Sequence, residues 1–176
     1  MTQSVVLGSY SPEEVTIVIS NSQFSHILSG FTDGTFVSVA RTIPHATPYV
    51  GADASHARVI RKVKSADITV TLHQASESND VLTQLLAKDE QYADNTWLFN
   101  ITIKDNSGRT MYSASKAYIG TVPDSDFGTD ITDRPWVIHA INMETHIGGN
   151  SELTGDGYAT LQELGYEADN RWKPAV

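Results

Sequence analysis

Residues 36–72 read FVSVARTIPHATPYVGADASHARVIRKVKSADITVTL. Phe36–Arg41 and Asp67–Leu72, at its two ends, read as strands. Between them lies Thr42–Ala57, TIPHATPYVGADASHA, followed by the basic run Arg58, Arg61, Lys62 and Lys64. So long a connection inside a compact domain is uncommon, and is usually functional or disordered. This one is not low in complexity. Ile43, Pro44, Pro48, Tyr49 and Val50 give it apolar surface and two points of stiffness. Residues 42–64 are read as an arm loop between strands that docks on a partner.

Working outward, the 176 residues suit one domain plus a tail. The division expected is one domain over 1–150, with the arm and a helix at about 79–91, and a C-terminal extension over 151–176. The hydrophobic fraction of 40% and charged fraction of 19% are those of a folded chain. No stretch approaches the roughly 18 apolar residues of a membrane span. The start, MTQSVVLGSYSPEE, lacks the basic opening and apolar core of a signal peptide. The chain has no cysteine, which excludes disulfides and Cys-based zinc sites. A net charge of −9 argues against nucleic-acid binding, which draws on phosphate neutralisation by Lys and Arg.

The charges are segregated. Residues 41–64 hold five cations against the single acid Asp53. Residues 124–169 hold Asp124, Asp126, Asp130, Asp133 and six further acids against Arg134 alone. Two solvated faces are the plain reading. Two complementary surfaces for head-to-tail self-association are the functional one.

The pattern is mainly β. Val15, Ile17 and Ile19 alternate, as do Ile68, Val70 and Leu72, and Trp97, Phe99, Ile101 and Ile103. Such a period of two marks antiparallel sheets with one apolar face. Asp105-Asn106-Ser107-Gly108 reads as a hairpin turn, and Trp136–Met143 as a strand opened by Pro135. One helix is expected, capped by Ser78, with Val81, Leu82, Leu85 and Leu86 as its buried stripe. The tail offers Tyr158, Leu161, Leu164, Tyr166 and Trp172 as anchors.

Catalytic and metal signatures are missing. There is no nucleophile elbow, Walker loop, dinucleotide fingerprint or zincin motif. His139 and His146 are an odd seven apart, and Asp53 with His56 lacks a third ligand. The Asp124–Asp133 run fails as an EF-hand, because Thr129 stands where the turn needs glycine. No cofactor and no metal are expected, and no enzyme activity.

Four segments together resemble the tail tube proteins of contractile-tailed bacteriophages. They are YSPEEVTIVI (10–19), GFTDGTFVSV (30–39), DITVTLHQASESNDVLTQLLAKDE (67–90) and DRPWVIHAINMETHIGGN (133–150). The most specific parts are SPEEV, the S-x-S-N-D helix start and the closing I-G-G-N. Residues 151–176 run on beyond that motif and are a departure from the pattern. The resemblance implies an antiparallel β-sandwich or barrel with one flanking helix. It implies a structural virion protein whose hexameric rings stack head to tail into the inner tube of a contractile tail, a conduit for DNA ejection. Catalysis has no counterpart in that family.

The implied channel can be sized. About four strands from each of six subunits, roughly 4.8 Å apart and tilted about 45°, give a backbone diameter of roughly 50 Å. Side chains remove about 10 Å, leaving room for a duplex about 20 Å across. The implied partners are further copies, the tail sheath, the baseplate or tail tip, the tail terminator, and double-stranded DNA passing without specific binding. Assembly in the bacterial host cytoplasm is expected. Interface candidates are Ile43, Pro44, Pro48, Tyr49, Val50, Arg58, Arg61, Lys62 and Lys64 on the arm, and Asp124, Asp126, Asp130 and Asp133 opposite them. Ser38, Thr69 and Thr71 are candidates to line the lumen. Two alternatives remain: a tube protein of type VI secretion, and a carbohydrate- or ligand-binding β-sandwich.

Overall fold

The computed structural model describes residues 7–174. In chain order the elements are β1 (Val15–Ser20), β2 (Ser25–Ile27), β3 (Val37–Arg41), β4 (Ala46–Val50), β5 (His56–Ile60) and β6 (Ala66–His73). There follow α1 (Ser78–Tyr92), β7 (Phe99–Asp105), β8 (Met111–Thr121), β9 (Asp133–Ala140), β10 (Met143–His146) and α2 (Gly155–Glu163). The fold is β-rich and mostly antiparallel, with two helices where one was expected. An eight-stranded sheet runs β2-β1-β7-β8-β9-β6-β3, with β10 on β8, while β4 and β5 form a sheet of their own. Two compact units divide the chain. The larger takes Ile17–Ile103 and Tyr112–Thr145, and the smaller takes the remainder.

In the larger unit, β6 has the alternation read from its sequence. Ala66, Ile68, Val70 and Leu72 are buried, and the residues between them are half-exposed. Ile17, Ile19, Phe99, Ile101, Trp136 and Ile138 extend this core, at about 1.5–3 kcal/mol for each large side chain buried. α1 lays Leu82 and Leu85 into it, with Val81 and Leu86 half-buried. Its bounds lie within a residue of those expected.

Ser78 is not the cap. Glu77 holds that position without a side-chain bond. Ser78 is fully buried, and its Oγ accepts from the Ser29 N–H at 3.0 Å and lies 2.9 Å from His26 Nε2. Ser76 Oγ donates to the Ser29 carbonyl at 2.5 Å. The two serines therefore stitch the helix start to residues 26–29. Gly30 completes the junction: its φ is +75°, and a Cβ there would come within 2.5 Å of Ser76 Cβ.

Pro135 does not open its strand either. β9 begins at Asp133, and Pro135 stands opposite Thr71 of β6. Thr71 spends its N–H on the Phe36 carbonyl and its carbonyl on the Thr32 N–H, so it needs nothing from Pro135. The pairing of β8 with β9 ends at Val137, after a register shift at Gly120. The missing proline N–H thus falls where no strand asks for it. The strand expected over 136–143 breaks at Ile141, which is exposed, and β10 begins afresh at Met143.

In the smaller unit the I-G-G-N motif closes on the β7–β8 turn. Asn150 Nδ2 donates to Asp105 Oδ2 at 2.9 Å, and the Arg109 N–H donates to the Gly149 carbonyl at 3.1 Å. A Cβ at Gly148 would strike Arg109, which accounts for a glycine there. α2 is capped by Thr154, whose Oγ1 accepts from the Gly157 N–H at 3.1 Å. Of the expected tail anchors, Trp172 is buried and Tyr158, Leu161 and Tyr166 are half-buried, while Leu164 is exposed.

Candidate subunit interface

The arm is a hairpin. β4 and β5 pair from Ala46↔Ile60 to Val50↔His56. The pairing continues to the base, where the Arg61 N–H donates to the His45 carbonyl at 2.8 Å and the Thr42 N–H to the Ser65 carbonyl at 3.0 Å. At the tip, Asp53 Oδ1 accepts from Ser55 Oγ at 2.6 Å and from the Ser55 N–H at 3.1 Å. Those bonds, the hydroxyl first, hold the Asp53 carboxyl below its ordinary pKa.

Side chains alternate across a strand, so the register sorts the arm into two faces. One carries Ala46, Pro48, Val50, His56, Arg58 and Ile60; the other carries Thr47, Tyr49, Ala57 and Val59. Tyr49 and Val50, taken together in the sequence reading, point opposite ways. Tyr49, Val50, Val59 and Ile60 are about half exposed or more, so neither face is covered. Ile43 is half-buried at the base, and Pro44 is exposed. Val59 and Ile60 escaped the sequence reading because a strand open on both faces has no period of burial. Pro48 sits at a non-hydrogen-bonded pair, so its missing N–H faces the open edge of β4 and blunts it.

Of the arm's cations, Lys64 is engaged within the chain: its Nζ lies 2.9 and 3.2 Å from the two carboxylate oxygens of Glu144. Arg58, Arg61 and Lys62 form no ion pair among the described residues. On the acidic side, Asp124, Asp126 and Asp130 are exposed in the irregular stretch between β8 and β9. That stretch hangs on Arg134, which is buried and donates to the Asp126 carbonyl at 3.1 Å and to Thr132 Oγ1 at 2.5 Å. Asp133 Oδ1 accepts from Thr32 Oγ1 at 2.5 Å and so belongs to the fold. Among the described residues no three carboxylates or imidazoles converge as a metal site.

The lumen candidates share one face of the sheet. Ser38 stands directly opposite Thr69, and Thr71 is two residues on. The same face of β6 and β9 carries Asp67, His73, Asp133, Pro135, Val137 and His139, with no Lys or Arg. His139 Nδ1 lies 2.7 Å from Asp67 Oδ1. A serine–histidine contact does exist at Ser78 and His26, but Ser78 is wholly enclosed and already bonded to backbone. No helix is long and apolar enough to cross a membrane among the described residues.

A β-rich chain with an unpacked hairpin is the class of protein that the fold defines. A solved structure shares that fold, the sheath/tube terminator of the extracellular contractile injection system PVC in its extended state. The TM-score is 0.53 at 12% identity, over 81% of this chain and 100% of that one. The family model of the bacteriophage PhiTE tail tube protein matches residues 7–148. Structural protein ORF10 of Pseudomonas phage KPP10 is 42% identical over 167 residues, 94% of this chain and 96% of that protein. This chain belongs to the PhiTE tail tube family and is a structural protein of the phage tail. The match to the KPP10 protein takes in most of residues 151–176, so the extension is shared with a relative rather than peculiar to this sequence.

Proposed function

We propose that the protein polymerises as stacked six-fold rings that form the inner tube of a contractile tail, through which DNA leaves the particle. One observation carries this reading. The hairpin 42–65 has apolar residues on both faces and nothing packed on either. A two-stranded hairpin alone is marginally stable in water, so it calls for a partner. With Tyr49 and Val59 on one face and Val50 and Ile60 on the other, a single flat surface buries only half of it. Insertion between two neighbouring copies buries both. Arg58, Arg61 and Lys62 then meet the acidic 124–169 region of a neighbour. They set register more than strength, because exposed pairs are worth about 0–1 kcal/mol each.

The uncovered sheet face with Ser38, Thr69 and Thr71 lines the channel. Acids and hydroxyls on its β6 and β9 part let a duplex slide there instead of being held. The tube meets the sheath outside, the baseplate at one end and the terminator at the other, and assembles in the host cytoplasm. It does no chemistry. Electron microscopy of the purified protein at rising concentration tests the proposal. Stacked rings with a channel wider than a duplex are the expected result, and a compact monomer in every state, the virion included, contradicts it.

A further inference from the structure

The smaller unit holds a cavity of about 220 Å³. Lys104, Arg109, His146, Asp169, Arg171 and Trp172 line it. Both arginines lie over the Trp172 ring, with Cζ 4.9 Å (Arg109) and 4.6 Å (Arg171) from its centroid. The fold gives each guanidinium one carbonyl: Arg109 Nη1 donates to Ser151, and Arg171 Nη1 donates to Asn106 at 2.7 Å. Their other donors are left over. None of the three cations forms an ion pair among the described residues, although Asp169 shares the cavity. His146 lies flat on Tyr166, ring centroids 4.4 Å apart, and its Nε2 is withdrawn from water with no hydrogen-bond partner.

Like charges gathered on one tryptophan repel, and a withdrawn imidazole nitrogen without a partner costs desolvation energy. An oxyanion answers the first, because its oxygens accept from the two guanidinium forks. In a chain of net charge −9 with only 12 Lys and Arg, three of them on one cavity is a marked concentration. We propose that the cavity binds a carboxylate, supplied in the assembled protein by Asp124, Asp126 or Asp130 of a second copy. Those three side chains are exposed, and none forms an ion pair among the described residues. Arg134 holds their loop by its backbone carbonyls, which leaves the carboxylates available. The inference rests on the tube reading for its partner and gives that partner a second contact besides the arm.

Lys104 lines the cavity from an exposed position, so Lys104→Glu reverses a charge there without disturbing the Trp172 stack. Sedimentation against concentration is run on the full chain, with circular dichroism checking each fold. Lys104→Glu is expected to raise the concentration needed for assembly by about tenfold. Adding one of Asp124→Lys, Asp126→Lys or Asp130→Lys should return it toward wild type, while Glu90→Lys, which restores the same net charge elsewhere, should not. Wild-type assembly of Lys104→Glu, or equal rescue by Glu90→Lys, overturns the inference and leaves the tube reading standing. A wild-type chain that never assembles removes the tube reading and the second copy with it. Inorganic phosphate titrated onto that monomer then reads the cavity alone. Shifts in the Arg109 and Arg171 guanidinium resonances support an oxyanion site, and a flat titration overturns it.

Discussion

Lys64 and Glu144, eighty residues apart in sequence, meet at the base of the arm with Nζ 2.9 Å from Oε1. Both are well exposed, at 42% and 66% of their side chains. One cation that the sequence assigns to a neighbour's acidic region therefore has its acid at home. An exposed pair contributes about 0–1 kcal/mol, so Lys64→Ala should leave thermal stability nearly unchanged. Reversal at Arg58, which has no such partner, should slow tube growth while the monomer melts as wild type. Equal effects of the two substitutions on growth would remove the distinction.

The faces of the hairpin give a sharper test. Tyr49→Ser with Val59→Ser empties one face, and Val50→Ser with Ile60→Ser empties the other. All four side chains are about half exposed or more, so either pair should shift the monomer's melting temperature little. Each pair should block polymerisation, because the arm needs cover on both sides. If one pair is neutral, the arm lies on a single surface.

Asn150 and Asp105 carry the pH dependence of the smaller unit. Burial pushes the Asp105 carboxyl up, and the bonds from Ser107 and Asn150 outweigh it and hold the pKa below the ordinary 3.8. A carboxyl depressed in the folded state stabilises above its unfolded value and loses that stabilisation as pH falls through the folded one. The contribution is therefore intact at neutral pH and fades below about pH 3.8. Asn150→Ala should cost about 1–2 kcal/mol at neutral pH, a fall of about 2–8 °C in Tm. It should also move acid unfolding to higher pH. Thermal melts between pH 2 and 7 check both.

Two backbone positions have opposite signs. Ala93 ends α1 in the left-handed region at φ 47°, where glycine rests without strain. Ala93→Gly should stabilise by about 0.5–1 kcal/mol. Gly30 has φ +75° and no room for a Cβ beside Ser76, so Gly30→Ala should cost about 2 kcal/mol or more. Urea melts at constant m-value measure both.

What was legible followed burial. β6 and the buried side of β7 could be read because one face of each is enclosed and the other is not. α1 could be read because Leu82 and Leu85 return at helical spacing. The hairpin hid its pairing because neither face is enclosed, so its residues read as loop. α2 buries no residue fully and carries no strong stripe, and the tail around it gave no signal. The role of Ser78 was lost because a helix-start serine reads as a cap, whereas a bond to residues 26–29 is a tertiary fact. The cavity around Trp172 joins residues from 104 to 172 and has no local pattern at all.

The most direct test is a cryo-EM reconstruction of the assembled protein at side-chain resolution. The expected result is six-fold rings in which residues 42–65 of each copy lie between two neighbours, with Tyr49 and Val59 buried against one and Val50 and Ile60 against the other. A tube in which the hairpin packs only on its own subunit, or projects into solvent, would contradict it.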